Sequence, residues 1–569
     1  MEIAISGPIP PDAAEAARIA EERINEIEAY SCFEKTKLKI EFIQTDSDGN
    51  RVVVRDNNIA IYAGMVREFI TGVGNVLKML YRHERSVKMP PCGEWTDMPK
   101  FPVRVHYLPA HFGNSFEAAW PFEMQRYLED LALAGASGYG DWFDPNDMPD
   151  PYNPFVYCST SMTLWRKKKE FLKISKRLGL DNVLCITHNV GFTDQMRPEW
   201  AGIKDHTLRV QGQVLCPSIP EARKVCLQNQ DNLFRDLSES GVIIDKVIYG
   251  PYDDGGCGCS KCQPYYPTFL SLISEIQNIV LKYYPGIKAD IGGWWALDEE
   301  LRMVAGFIRG SEKKLFSGFQ FSATYDVFEL PDIRCLIGNI PLSAFLHIAF
   351  SNNDRDVYIK TGIHSAARRI KSVVKSFDNQ GCLGFYTYNE SFGDHFNEYV
   401  SNCLGRNPDE SVKEITGDYC RMMFGVNGQN LEDIVDVLLE MEDPDNEKAG
   451  RWQTVLNGIR PHIKTSQWQG WAFDHILYKA ELTALDYKIG DGKEWGRPED
   501  LEGVLPLIEK RLMLSEVLWR KVYGFGVLRH ILIPDRMLPD WYDNYRRIFP
   551  ERNGMILPGL RENKISENA

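Results

Sequence analysis

The regular alternation of strand-like and helix-like segments between residues 101 and 395 constrains the fold most strongly. Eight apolar runs recur there: FPVRVHYL, ASGYGDWF, DNVLCITHNV, DKVIYGPYDD, KADIGGWW, LFSGFQFSATYD, PLSAFLHIAFS and GCLGFYTYNE. Helical stretches such as FEMQRYLEDLALAG separate most of them, although the one around ELPDIRCLIG is weak. Eight strands that alternate with helices predict a (β/α)8 TIM barrel of the α/β class, with a doubly wound parallel sheet as the main alternative.

Two further units flank this region, because 569 residues are too many for one compact core. Residues 1–95 show the order strand, helix, strand, strand, helix, and the strands are MEIAIS, LKIEFIQ and NNIAIYAG. This order predicts a small N-terminal α/β domain, which MPPCGEWTDMPKFP links to a barrel at 101–395. Helical patterns alone continue over 396–569, which predicts a C-terminal helical domain.

Charge and composition narrow the choice of partners and compartment. The net charge is −14 and there is no long Lys/Arg block, so neither nucleic acid nor an anionic membrane is an expected partner. No apolar run reaches the length of a transmembrane helix, and the first residues read as a strand and a turn rather than a secretory signal. The 13 scattered cysteines suit reduced thiols. We therefore expect a cytoplasmic protein, and a homo-oligomer is compatible with the sequence.

Polar and aromatic residues follow every one of the eight predicted strands. A single loop aspartate is more often a turn residue, and a tryptophan pair is more often core. In a TIM barrel, however, the carboxyl ends of the strands form one functional face. Flat rings and hydrogen-bonding groups on one face suit a sugar, so we expect an oligosaccharide or glycoside substrate. The predicted substrate-binding residues are Arg104, His111, Trp142, His188, Asn189, Tyr252, Trp294, Trp295, Tyr325, His347, Tyr386, Tyr388 and Asn389.

Two adjacent carboxylates end the fourth strand. Glycoside hydrolysis requires two carboxyl groups, one of which is an acid held protonated. Asp253 and Asp254 are therefore predicted to be catalytic, and Gly255 and Gly256 let the backbone turn away from them. Glu390, after the eighth strand, is the alternative second carboxylate. This chemistry needs no cofactor, and we expect none.

The layout of residues 1–395, with a barrel that opens on VRVHYLPAHFGN, resembles that of β-N-acetylhexosaminidases and α-glucuronidases. The Asp–Asp pair is similar to that of the O-GlcNAcase and hyaluronidase-like group, and YTYNES resembles the strand-eight end of α-glucuronidase-like enzymes. The resemblance implies a retaining glycoside hydrolase in which the acetamido group of an N-acetylhexosaminide assists. Asp253 would orient that group, Asp254 would be the general acid/base, and Arg104 would bind sugar hydroxyls.

Two other interpretations stay open at this point. Hexosaminidases carry Asp–Glu where this chain has Asp–Asp, so a two-carboxylate glycosidase that uses Glu390 is one alternative. The other is a non-catalytic carbohydrate-binding or zinc-stabilised barrel protein, which would keep the rings but would not need Asp254.

The segment CGCSKC directly follows the acidic pair and is similar to a Cys-rich segment in barrel endo-β-N-acetylglucosaminidases. It supplies Cys257, Cys259 and Cys262, whereas a structural zinc site needs four ligands. No second C-x-x-C occurs, so the fold would have to contribute Cys216 or Cys226. A redox pair at the start of the helix YYPTFLSLI is a further alternative. We expect packed thiols that shape the acidic loop, and no metal.

Overall fold

The structure is a computed structural model of the chain. The residues that it describes are 2–5, 7–29, 37–56, 58–81, 91–110, 115–143, 145, 148–153, 160–203, 214–251, 256–293, 296–311, 315–324, 333–348, 363, 365–389, 391–463, 470–490, 503–511 and 513–514.

A five-stranded sheet with two helices forms the N-terminal unit. Its elements are β1 (Glu2–Ile5), α1 (Ala14–Ala29), β2 (Lys37–Gln44), β3 (Asn50–Arg55), β4 (Asn58–Ala63), α2 (Val66–Tyr81) and β5 (Gly93–Asp97). The strand order is β1-β2-β4-β3-β5, with β3 antiparallel to both of its neighbours. The sequence interpretation missed β3 and treated β5 as part of a linker. β5 is mostly exposed, so its sequence GEWTD carries no apolar alternation.

Eight parallel strands close into a barrel, as predicted. They are β6 (Val103–Tyr107), β7 (Gly138–Trp142), β8 (Asp181–Ile186), β9 (Lys246–Tyr249), β10 (Lys288–Gly292), β11 (Phe316–Thr324), β12 (Leu342–His347) and β13 (Gly384–Tyr388). Each predicted apolar run contains one of them. β13 pairs with β6 and so closes the ring, which confirms the TIM barrel over the doubly wound sheet.

Helices cover the outside of the barrel. They are α3 (Ser115–Ala118), α4 (Pro121–Leu133), α5 (Thr160–Arg177), α6 (Pro220–Glu239), α7 (Tyr265–Tyr283), α8 (Asp298–Gly310), α9 (Arg334–Ile337), α10 (Ala367–Asn379) and α11 (His395–Arg406). The weak pattern around ELPDIRCLIG corresponds to α9, which has only four residues. Apolar side chains pack between the strands and these helices, and a second buried cluster fills the barrel itself.

The C-terminal part is helical, as predicted. It contains α12 (Val412–Phe424), α13 (Gln429–Glu440), α14 (Asn446–Ile459) and α15 (Gly470–Ile489), and residues 503–511 are also helical. The boundaries at 95, 101 and 396 stay predictions. Within the part of the chain that the structure describes, no helix combines the length and the apolar character that crossing a bilayer requires.

A buried ion-pair network joins the N-terminal unit to the barrel. The Arg406 guanidinium binds both carboxylate oxygens of Glu68 at 3.0 and 2.8 Å, and its Nε lies 2.8 Å from Asp97 Oδ1. Arg406 and Glu68 are both buried. Because an unpaired buried charge is costly, this network fixes α2 against the last helix of the barrel.

Candidate active site

Aromatic side chains from three adjacent strands meet at the carboxyl ends of β12, β13 and β6. The rings of Tyr107 and Tyr388 stack with centroids 5.9 Å apart at 28°. His347 lies 5.2 Å from Tyr388 and meets Phe345 edge-on at 5.1 Å. We call Tyr107, Phe345, His347 and Tyr388 the mouth cluster. Tyr388 is partly exposed and the other three are buried, so Tyr388 is the ring of this cluster that a ligand reaches first.

Two further predicted residues lie inside the barrel beside the mouth cluster. Trp142 is buried, and its indole N–H donates to Thr187 Oγ1 at 2.8 Å, which fixes the ring. Tyr386 is opposite Val105 in the strand register, one layer below Tyr388. Burial raises the pKa of Tyr386 well above its ordinary value, so its hydroxyl stays protonated. The structure therefore brings Trp142, His347, Tyr386 and Tyr388 into the barrel interior, and their contact with substrate stays a prediction.

Asn189 fixes the exit of the acidic segment after β9. Its Nδ2 donates to the carbonyl oxygens of Leu215 at 2.8 Å and Gly256 at 3.0 Å. Its Oδ1 accepts from the Gly256 N–H at 3.2 Å. Gly256 has φ +107°, a conformation that favours glycine, as the predicted backbone turn requires. Both Nδ2 hydrogens of buried Asn189 are thus donated to backbone carbonyls, so Asn189 positions this loop, and its contact with substrate stays a prediction.

A chain of hydrogen bonds fixes the carboxyl end of β13. Asn389 Nδ2 donates to Thr387 Oγ1 at 2.9 Å. The same Thr387 oxygen lies 2.8 Å from His106 Nδ1. His106 Nε2 lies 2.8 Å from Asn402 Oδ1. Burial lowers the pKa of His106 to about 4, so the ring is neutral and the donors run in one direction, from Asn389 through Thr387 and His106 to Asn402. This chain holds the backbone immediately before Glu390.

The predicted sugar-binding residue Arg104 faces away from the barrel interior. Val105 and Tyr107 point inward on β6, so the alternate residue Arg104 points outward. Arg104 is buried there, with Nε donating to the Gly135 carbonyl at 2.7 Å and Nη2 3.9 Å from Glu68 Oε1. Arg104 therefore belongs to the junction with the N-terminal unit, and its role in binding sugar hydroxyls stays a prediction.

His188 lies behind the strand, against α7. Its Nε2 is hydrogen-bonded to the Tyr265 hydroxyl, and its ring meets Phe269 edge-on at 4.8 Å. Only 1% of its surface is exposed, and burial lowers its pKa to about 3. The side chain is therefore a neutral part of the core between the barrel and α7, and its contact with substrate stays a prediction.

Asp141 is a positioning residue that the predicted site did not include. Its Oδ1 accepts from the backbone N–H of Trp142 at 2.6 Å and of Ala110 at 3.3 Å, and its Oδ2 accepts from the Tyr139 hydroxyl at 2.8 Å. Lys168 Nζ lies 3.3 Å from it and balances the buried charge. The sequence signal was available, since a carboxylate within a fully buried strand must be paired.

The remaining predicted residues lie outside the described residues. They are His111, Tyr252, Asp253, Asp254, Trp294, Trp295, Tyr325 and Glu390. Pro251 and Gly256 are the described residues that flank the acidic segment, and both are buried. Asn389 and Ser391, on either side of Glu390, are also buried. The three catalytic candidates therefore belong to segments whose described flanking residues are buried at the carboxyl ends of β9 and β13.

Four thiols gather next to Gly256. The sulfur atoms of Cys216, Cys257, Cys259 and Cys262 all lie within 4.8 Å of one another. Thiolates are the ligands that zinc prefers in structural sites, so this group is able to hold a metal ion.

Similar solved structures share this architecture. A GH138 enzyme targeting pectin rhamnogalacturonan II aligns with a TM-score of 0.57 at 10% identity, covering 92% of this chain and 74% of its own. A family 89 glycoside hydrolase from Clostridium perfringens, in complex with PUGNAc, aligns with a TM-score of 0.57 at 12% identity, covering 93% and 71%. A variant of the C. perfringens enzyme with two glutamates changed to glutamine, in complex with its substrate GlcNAc-alpha-1,4-galactose, gives a TM-score of 0.55 at 12% identity, covering 95% and 73%.

Neither a protein-family model nor a curated protein matches this sequence. At 10–12% identity the structural matches establish a shared fold, and the resemblance to barrel glycoside hydrolases is confirmed at that level. The chain therefore has the fold of these enzymes, with an N-terminal α/β unit, a closed barrel and C-terminal helices.

Proposed function

We propose that this protein is a glycoside hydrolase whose active site lies at the carboxyl ends of the barrel strands, with Asp253 and Asp254 as its acidic pair. One observation carries the proposal. The carboxyl end of β9, which the acidic pair follows in the sequence, lies at the same end of the barrel as the mouth cluster, in a fold shared with glycoside hydrolases of families 89 and 138. Rings for stacking and carboxyl groups for proton transfer are the two components that glycosidic cleavage requires.

The proposed chemistry assigns different roles to the two aspartates. Asp253 orients the 2-acetamido group, whose oxygen attacks the anomeric carbon as the bond to the leaving oxygen breaks. Asp254 gives its proton to that leaving oxygen and then takes one from the water that opens the cyclic intermediate. Because two adjacent carboxylates repel each other as anions, one of the pair is held protonated at a higher pH than an isolated aspartate.

The proposed substrate class is an N-acetylhexosaminide. The similar C. perfringens structures hold PUGNAc and GlcNAc-alpha-1,4-galactose, which both carry an N-acetylglucosamine-type group. Trp142 and Tyr388 supply rings for the sugar face.

A second scheme is favoured by a specific observation. One similar structure was obtained with its substrate after two glutamates had been changed, which fits a pair of catalytic carboxylates in that enzyme. In this chain, Glu390 directly follows Asn389, whose hydrogen bonds hold the end of β13. In that scheme Asp254 is the acid, and Glu390 is the base or the nucleophile.

Nitrophenyl glycosides test the proposal directly. We expect release of nitrophenol from at least one anomer of a 2-acetamido-2-deoxyhexoside. In Asp254→Asn we expect loss of hydrolysis of the matching alkyl glycoside, whose leaving group is poor. Replacing the acetamido group of the substrate by trifluoroacetamido weakens its oxygen as a nucleophile. The rate should then fall steeply if the acetamido group participates, and change little in the scheme that uses Glu390. Sugar binding without turnover of any glycoside would overturn the enzymatic proposal.

We also propose that the protein works in a reducing compartment, the cytoplasm. The eleven cysteines in the described part of the chain are all free of disulfides, and several are buried, which supports that proposal. Fractionation of cells of the source organism, with immunodetection of the protein, is the test, and recovery from an extracytoplasmic fraction would contradict it.

A further inference from the structure

The four thiols beside the acidic segment come from two separate loops. Cys216 lies before α6 in the loop after β8, and Cys257, Cys259 and Cys262 lie before α7 in the loop after β9. Cys216 Sγ is 3.6 Å from Cys257 Sγ, 3.8 Å from Cys259 Sγ and 3.7 Å from Cys262 Sγ. These distances are too long for a disulfide bond between Cys216 and any of the other three thiols.

The spacing of the sulfur atoms matches one tetrahedral metal ion. A Zn–S bond of about 2.3 Å in a tetrahedron places the sulfur atoms roughly 3.8 Å apart. The three distances from Cys216 agree with this value, and all four sulfur atoms lie within 4.8 Å of one another. That spacing leaves room for one ion and not for an iron–sulfur cluster. Four thiolate ligands in tetrahedral geometry are the preferred structural environment of Zn²⁺.

Hydrogen bonds to sulfur complete the surroundings of the site. The backbone N–H of Ile203 donates to Cys257 Sγ at 3.4 Å. Ser218 Oγ lies 3.1 Å from Cys216 Sγ and 3.6 Å from Cys259 Sγ. Four thiolates around Zn²⁺ carry a net negative charge, and such donors stabilise it in a buried position.

The turn that carries the last two ligands is also preorganised. The N–H groups of Cys262 and Gln263 both donate to the Cys259 carbonyl, at 3.0 and 3.1 Å, so the C-x-x-C segment forms a tight turn. Cys257 and Cys262 are fully buried, and 4% of Cys216 is exposed. Four thiols that converge in this way, with a turn and donors around them, form a closed structural site rather than a catalytic one, because no ligand position is left open.

We propose that Cys216, Cys257, Cys259 and Cys262 bind one Zn²⁺ ion, which joins the loop after β8 to the loop after β9. This assignment replaces the expectation of packed thiols without metal. The ion is adjacent to Gly256, whose backbone Asn189 also holds, so it fixes the exit of the segment that contains Asp253 and Asp254. The proposal concerns the architecture of the rim and goes beyond the proposed function, because it holds whether or not the protein cleaves a glycoside.

Metal analysis of the full-length protein tests this proposal. The protein should be purified without chelators from zinc-supplemented medium, and we expect one zinc per chain by mass spectrometry of the metal. Cys216→Ser and Cys262→Ser should each lose the zinc on dialysis against a mild chelator. Cys226→Ser is the matched control, because Cys226 is a buried thiol on α6 outside the group of four, and it should keep its zinc.

Replacement of zinc by cobalt gives a readout that does not depend on the variants folding. Co²⁺ added to the metal-free wild-type protein should give the intense visible and near-ultraviolet bands of tetrahedral thiolate coordination. A chelator should lower the melting temperature of the wild-type protein and restored zinc should raise it again. Well under one zinc per chain together with no such cobalt bands would overturn the proposal, and so would iron in place of zinc.

Discussion

Replacement of Asn189 by alanine should uncouple the acidic segment from the barrel. The change removes three buried hydrogen bonds, two to carbonyl oxygens of Leu215 and Gly256 and one from the Gly256 N–H. At about 1 kcal/mol each, the loss amounts to about 3 kcal/mol of stability. That corresponds to a fall in melting temperature of roughly 5–10 °C for a domain of this size.

The same change should lower kcat more than it raises KM, because the loop that it releases carries the proposed acid. A displacement of about 1 Å at a reacting group costs on the order of 100-fold in rate. The assay is turnover of the best nitrophenyl glycoside at a temperature at which calorimetry shows that both proteins are folded.

Asn182→Ala is the matched control for this prediction. Asn182 is also fully buried, and its Nδ2 donates to the carbonyl oxygens of Leu172 at 2.9 Å and Ile243 at 2.7 Å. It lies near the start of β8, whereas Asn189 follows the carboxyl end of that strand. The control should lose about 2 kcal/mol of stability and keep its kcat. Equal losses of kcat in the two variants, or full activity in Asn189→Ala, would refute the reasoning.

Three further predictions follow from described contacts. Tyr388→Ala should raise KM by roughly 10-fold, through a lost stacking contact of about 1–1.5 kcal/mol, whereas Tyr388→Phe should stay within a few-fold of wild type in steady-state kinetics. Stability should fall as the pH drops from 6.5 towards 3, because unfolded His188 binds a proton in that window and buried His188, with its pKa lowered to about 3, does not. The cost is about 2 kcal/mol at pH 5, so His188→Gln should show a smaller drop in melting temperature between pH 7 and pH 5. Glu68→Gln should destabilise the junction with Arg406 by about 3–5 kcal/mol in denaturant unfolding, whereas Glu94→Gln, in an exposed pair, should change it by less than about 1 kcal/mol.

The fold was largely predictable because every barrel strand is buried on both faces and reads as an apolar run between helices. The pattern even indicated the short α9. The N-terminal sheet was less predictable, since β3 and β4 form one continuous hairpin and β5 lies at an exposed edge. Edge strands bury few side chains, so they leave little apolar periodicity in the sequence.

The candidate site was predictable in position and only partly in its residues. The rule that strand ends carry function placed Trp142, His347 and Tyr388 in the barrel interior. The sequence did not show that Arg104 points outward, because a strand that is buried on both faces does not reveal which face points inward, and a step of one residue reverses the direction of the side chain. The spacing of the cysteines in the sequence did not show that Cys216 joins the group of thiols. Cys216 and Cys257 are 41 positions apart, and only the fold brings them together.

The most direct test of the central claim is the kinetics of Asp254→Asn on two substrates, one natural-type glycoside and one dinitrophenyl glycoside of the same sugar. A general acid contributes about 10²–10⁴-fold when the leaving group is poor and little when it is activated. We predict that Asp254→Asn loses turnover of the natural-type glycoside and keeps part of its activity on the dinitrophenyl glycoside, whereas Asp253→Asn is impaired on both. Wild-type rates of Asp254→Asn on the natural-type glycoside would contradict the account.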